Sequence, residues 1–174
     1  MKLRLEDIPE EGLDVSFELR GAKPAELGSA VEELVAPPWA SLHVEQKGEF
    51  VLARGRAGAK LRLSCSRCLE PIEMALDQAL DLAFEPMPAV DADEIELRGD
   101  EMDVSFYRDG EVDLGEAVLE ELSFAVPMAP LCRPDCLGIC PRCGQTHGEG
   151  GCQCQTESID PRWGKLAQLR PKQD

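Results

Sequence analysis

The chain has 174 residues, a net charge of −16 and eight cysteines, and it contains no run of roughly 18 apolar residues of the kind that spans a bilayer. With 34 acids against 18 lysines and arginines, the molecule as a whole is excluded from clinging to nucleic acid by non-specific attraction, since each phosphate contact needs a cation. The opening Met1-Lys2-Leu3-Arg4-Leu5-Glu6-Asp7 sets acids where a signal peptide carries its apolar segment, so a cytoplasmic protein is expected.

Leu13 to Leu19 alternates apolar and polar residues and predicts a strand with one buried face. From Pro24 to Val35 the residues Leu27, Val31, Leu34 and Val35 fall at helical spacing, which predicts a short helix ended by Pro37-Pro38. Leu42 to Gln46 and Phe50 to Gly55 read as strands joined at Lys47-Gly48. Arg56-Ala57-Gly58-Ala59-Lys60 then reads as a hairpin turn with a three-residue loop. That loop sets Arg56 opposite Lys60 and Arg54 opposite Arg62, with Val51, Ala53, Leu61 and Leu63 on the other face. The result is a basic stripe of Arg54, Arg56, Lys60 and Arg62, continued by Arg67. It is either a solvated strand face or a patch for RNA phosphate or an acidic partner.

Cys65-Ser66-Arg67-Cys68 follows, and Ile72, Met74, Leu76, Leu80, Leu82 and Phe84 then alternate along one long strand, which puts the cysteine pair at a hairpin tip. The pair has three readings: half of a second metal site with Cys132 and Cys136, a redox pair, or thiols that pack a turn. Glu85 to Asp103 reads as an acidic loop holding a brief strand, Ile95 to Leu97. Val104 to Tyr107 is another short strand before the Asp109-Gly110 turn. Asp113-Leu114-Gly115-Glu116 carries the acceptor and third-position acid of a capping box, and the helix it opens runs from Leu114 to Val126 and stops at Pro127. Near the end, Asp160-Pro161 starts a last helix docked by Trp163, Leu166, Ala167 and Leu169.

Between those helices lie six cysteines, Cys132, Cys136, Cys140, Cys143, Cys152 and Cys154. Cys140-Pro141-Arg142-Cys143-Gly144 has the form of a zinc knuckle, in which a two-residue spacer aims both thiolates at one metal and the glycine accepts a strained backbone angle. Its second pair of donors is Cys152 with Cys154 or, in competition, Cys132 with Cys136; His147 is a substitute ligand. A disulfide cluster is the rival reading, and it belongs to small secreted domains with denser cysteine. Zn2+ here would be structural, with no open coordination position.

These readings add up to an α+β protein, mainly antiparallel sheet or partial barrel, with a few helices and a cysteine-rich zinc-binding segment. Residues 1–130 would form a β-rich core with two helices, and residues 131–174 the knuckle segment and a C-terminal helix packed on it. The order of motifs resembles the YceD family, also called large ribosomal RNA subunit accumulation proteins. The motifs are Cys65-Ser66-Arg67-Cys68-Leu69-Glu70-Pro71, the acidic helix ending at Val126-Pro127, Leu131-Cys132 through Cys143-Gly144, and Ile159-Asp160-Pro161-Arg162-Trp163, spread from about Leu13 to Leu169. The resemblance implies a bacterial or plastid protein without catalytic activity that supports large-subunit rRNA, often encoded beside a small zinc-ribbon ribosomal protein. Its expected partners are a large-subunit rRNA precursor, a basic ribosomal protein, or both. The alternative is an acidic zinc-binding interaction module or chaperone for a basic partner. An enzyme is disfavoured, since His43 and His147 stand without a nucleophile or carboxylate pattern and no phosphate-cradling glycine motif occurs.

Overall fold

Three long strands dominate the computed structural model, which describes residues 1–88, 104–146, 152 and 154. In chain order the strands are β1 (Lys2–Arg4), β2 (Leu13–Glu18), β3 (Val31–Lys47), β4 (Phe50–Ser64), β5 (Pro71–Pro86), β6 (Ser105–Tyr107) and β7 (Glu111–Asp113), followed by the helix α1 (Leu114–Ala125). They form an open five-stranded sheet of order β2-β3-β4-β5-β6 and a two-stranded ribbon of β1 with β7. Among the described residues all strand pairs are antiparallel except β5 with β6, which is parallel. Of the two expected forms, antiparallel sheet and partial barrel, the fold is the sheet, mixed through its one parallel pair and not closed into a barrel among the described residues. The predicted brief strand at Ile95 to Leu97, His147 and the last helix from Asp160 lie outside the described residues.

Two sequence expectations change. The first is the helix from Pro24 to Val35. Only Pro24–Glu26 forms a single 3-10 turn; Gly28 takes a left-handed φ of 128°, and the chain enters β3 at Val31. Three register shifts against β4 follow, between Val31 and Glu33, Leu34 and Ala36, and Ala36 and Trp39. Each inserts an extra residue into the strand, and the last absorbs Pro37 and Pro38, which a regular ladder does not accommodate. The bulges break the period of two, so the apolar residues mimic helical spacing.

The second is the hairpin at Arg56 to Lys60. It does not exist: those residues are the middle of β4, paired on one side with β3 (Trp39↔Gly58, Ala40↔Ala57) and on the other with β5 (Gly58↔Asp77, Ala59↔Leu76). Val51, Ala53, Ala57, Ala59, Leu61 and Leu63 all bury their side chains on one face, while Arg54, Arg56, Lys60 and Arg62 point to the other. An odd-length loop and an unbroken strand share this parity. Glycine at 58 is needed for space, since a Cβ there would stand 2.6 Å from the Leu76 carbonyl oxygen and 2.9 Å from the Trp39 indole.

The core lies between the buried face of the sheet and α1. Leu61, Leu63, Val51 and Val44 of the sheet meet Leu114, Val118 and Leu122 of the helix, all at most barely accessible. The helix starts where the sequence predicts, for Asp113 caps it by accepting from the backbone N–H of Gly115 at 3.0 Å and Glu116 at 3.1 Å. A real hairpin turn sits at Gly48, with φ of 67° between β3 and β4. The β4–β5 hairpin ends at Cys65 to Glu70, about 50 Å along the 15-residue strand from Gly48 at roughly 3.3 Å per residue.

Candidate metal centres

The tip of the β4–β5 hairpin is a knuckle. The N–H of Leu69 donates to the Cys65 carbonyl at 2.9 Å, the N–H of Cys65 donates to the Glu70 carbonyl at 2.9 Å, and Leu69 takes a left-handed φ of 60°. The same three features recur at Cys140 to Gln145. There Gly144 donates to the Cys140 carbonyl at 2.9 Å, Cys140 donates to the Gln145 carbonyl at 2.8 Å, and Gly144 has φ of 72°. Each knuckle brings two cysteines to one side of a tight turn, and each finds a second pair.

Cys65 and Cys68 meet Cys132 and Cys136, and Cys140 and Cys143 meet Cys152 and Cys154; within each set the sulfurs lie no more than 4.8 Å apart. In the first set, Cys65 Sγ stands 3.8 Å from Cys136 Sγ, and Cys68 Sγ 3.6 Å from Cys132 Sγ. Four thiolates at about 2.3 Å from one tetrahedral ion have edges of about 3.8 Å, whereas a disulfide brings sulfurs to about 2.05 Å. The spacing fits a metal and not a disulfide. Each set can therefore hold a metal ion. The fold sets the eight cysteines in two groups of four, with Cys65 and Cys68 beside Cys132 and Cys136 rather than all six later cysteines together.

The two sets differ in their surroundings. In the first, Cys65, Cys68 and Cys136 are buried and share a small cluster of their own with Ile72 and Leu131. Three contacts lock it: Ser66 N–H to the Pro130 carbonyl at 2.8 Å, Arg67 Nη1 to the Cys136 carbonyl at 2.7 Å, and Cys132 N–H to Cys65 Sγ at 3.4 Å. Gly138, with φ of 77°, is pressed so close that a Cβ would come to 3.0 Å from the Arg67 carbonyl. In the second set only Cys140 is buried, and Cys143 is exposed.

The electrostatics are those of sites built for a cation. Burial works against ionisation of Cys65, yet the backbone N–H groups of Cys68, Arg67 and Cys132 outweigh it and bring the thiol down to about 6. At Cys140 the N–H groups of Cys143 and Arg142 do the same, again to about 6. The N–H of Glu70 favours the Cys68 thiolate, but burial and the neighbouring sulfurs of Cys65, Cys132 and Cys136 push that group up to about 12. The Cys143 sulfur, followed by burial, drives Cys154 up to about 12. One thiolate per set is prepared by the backbone, whereas Cys68 and Cys154 ionise only when a cation offsets the repulsion of the sulfurs beside them, so metal uptake releases protons.

The basic residues meet a different fate. Arg54 pairs with Asp81 at 2.9 Å, Arg56 with Asp77 at 2.9 Å, and Arg62 with both Glu33 and Glu73. Lys60 and Arg67 make no ion pair with a described residue, and Arg67 serves the first knuckle rather than the stripe. A turn at Arg56 to Lys60 would leave the acids of β3 and β5 out of reach; the continuous strand sets them opposite the arginines. His43, on β3, bonds Asp14 at 2.7 Å and faces Glu45 at 3.5 Å, a cross-strand ion-pair arrangement at the surface.

Residues 53–170, which include β5, α1 and all eight cysteines, match the family described as "Large ribosomal RNA subunit accumulation protein YceD". The chain belongs to the YceD family. Among its relatives is the uncharacterized protein Rv2926c of Mycobacterium tuberculosis, 36% identical over 135 residues, covering 76% of this chain and 62% of the relative. Another is the uncharacterized protein ML1660 of Mycobacterium leprae, 31% identical over 143 residues, covering 79% of this chain and 63% of the relative. The chain thus spans a little under two thirds of the length of these YceD relatives, and no solved structure matches it. The family description names an accumulation factor and no reaction. No helix among the described residues is long and apolar enough to cross a membrane.

Proposed function

We propose that this YceD protein is a non-enzymatic cytoplasmic factor that supports accumulation of large-subunit ribosomal RNA by docking to a macromolecular partner, with Zn2+ as a structural ion in both cysteine sets. The family match across residues 53–170 carries the reading. Zinc is favoured because all donors are thiolates, the first set has tetrahedral spacing, and four protein ligands leave no position for substrate. Through Cys132 and Cys136 the first set ties the chain that follows α1 to the end of the sheet.

For the partner, charge favours a basic ribosomal protein over direct RNA contact. The molecule carries −16, and three of the five cations expected to face phosphate are already matched by carboxylates on the strands beside them. Such exposed pairs are weak, so phosphate can compete for the arginines, which keeps rRNA as the second reading. Two measurements test the proposal. Depleting the protein lowers the ratio of large- to small-subunit rRNA, and an unchanged ratio contradicts it. Affinity capture of the tagged chain before and after ribonuclease then separates the readings: a basic ribosomal protein that survives digestion supports the first, and loss of all captured material supports RNA.

A further inference from the structure

Leu69 occupies the knuckle position that Gly144 fills in the other knuckle, and it holds the same left-handed backbone, with φ of 60° against 72°. A leucine there is strained by its Cβ. Burial does not compensate for that strain, because Leu69 is 64% exposed. Leu137, at 73% exposure, borders the same tip, since the next residue, Gly138, packs on the backbone of Arg67. Two more exposed apolar side chains, Phe124 and Met128, lead to it from the end of α1, and Pro130 just beyond them is bonded to Ser66 in the knuckle. The cations there are engaged, Arg67 with the Cys136 carbonyl and Arg133 with Asp135, and the acids are Glu70, next to Leu69, and Glu120 and Glu121, one helical turn before Phe124. All three are exposed and in no ion pair with a described residue, unlike the paired Glu73, Asp77 and Asp81 of β5.

We propose that the rim of the first cysteine set, formed by Leu69, Leu137, Met128 and Phe124 with Glu70, Glu120 and Glu121, docks a protein segment that carries apolar side chains between lysines or arginines. This deepens the docking function proposed above and rests on it. Unpaired acids beside exposed apolar groups ask for a partner that supplies both cations and apolar surface. RNA would bring phosphate against these carboxylates, and a second copy of the chain would bring the same carboxylates.

The test uses the full, metal-loaded chain and a fluorescent 15-residue peptide in which leucine and lysine alternate. Leu69→Gly combined with Leu137→Ser weakens binding tenfold or more while leaving the melting temperature unchanged or higher, because glycine accepts the left-handed angle. Phe50→Ser, which removes an exposed apolar side chain at the far end of β4, leaves binding unchanged, and exchanging the peptide's lysines for glutamate or its leucines for serine weakens it tenfold. Wild-type affinity in the double variant, or an equal loss in Phe50→Ser, overturns the assignment. A benzophenone side chain placed at 137 in cells is expected to cross-link to a lysine- or arginine-rich peptide; cross-links to RNA, to a second copy or to residues 155–174 also overturn it. If the double variant captures its ribosomal partner as well as wild type does, docking stands and this rim falls; if wild type captures none, docking itself falls.

Discussion

Replacing Gly58 with alanine separates an unbroken β4 from a hairpin with its tip at that residue. In the sheet the new Cβ would lie 2.6 Å from the Leu76 carbonyl oxygen, where ordinary contact begins at 3.4 Å, so it is short by 0.8 Å against backbone that cannot swing aside. The Trp39 indole, 2.9 Å away, can yield; the β5 main chain must shift. Overpacking of this kind costs about 1–3 kcal/mol, and at about 2–4 °C per kcal/mol for a chain of this size the melting temperature falls by roughly 2–12 °C. At a solvated loop tip with negative φ, such as Gly58 has here, the same substitution would instead stabilise by about 0.4–1 kcal/mol, through loss of freedom in the unfolded chain. The sign of the shift decides. Thermal and urea unfolding of metal-loaded protein measure it, and an unchanged or raised midpoint would refute the continuous strand.

Other consequences follow from the same geometry. Cys136→Ser and Cys143→Ser each reduce bound metal from two ions to one per chain, one being lost from each set of four. Only Cys136→Ser lowers amide-exchange protection at the β4–β5 tip, since its set is buried in the sheet's own end. Asp113→Ala removes the cap of α1 and the contact with the Met1 amino group at 3.4 Å, which costs about 0.5–2 kcal/mol and is read in the same unfolding experiments. His43 titrates above its ordinary value because it is hydrogen-bonded first to Asp14, with further attraction from Glu45. Its interaction therefore stabilises the fold at pH below the unfolded-state value and is lost as pH rises through the raised one. An NMR titration shows this shift, and Asp14→Asn moves it back down.

Much of this molecule can be read from one strand's worth of residues at a time, and the errors arise where more than one strand is needed. β2, β5 and α1 follow from alternation, helical spacing and the Asp113 cap, because each buries one regular face. The first part of β3 does not, since bulges after Val31 and Leu34 reset its parity and leave Val31, Leu34 and Val35 in apparent helical register with Leu27, whereas Leu42 to Gln46 alternates regularly and reads as strand. Only pairing with β4 reveals the bulges. At Arg56 to Lys60 the parity of an odd loop equals that of a continuous strand, so no local pattern distinguishes them; the alanines at 57 and 59 and the glycine at 58, small residues between crowded neighbours, were the available hint. Both Cys-x-x-Cys knuckles are legible as motifs. Their partners are legible only as competing alternatives, because the sequence makes Cys132 and Cys136 the near neighbours of Cys140, whereas the sheet delivers Cys65 and Cys68 to them from 64 and 71 positions away.

The two-centre architecture stands or falls on the metal content of the natively purified chain, counted by intact-mass spectrometry under non-denaturing conditions alongside elemental analysis. Two zinc ions per chain, one for each set of four sulfurs, is the expected result. A chain that keeps its sheet and helix with no bound ion, or with its sulfurs joined as disulfides, would contradict it.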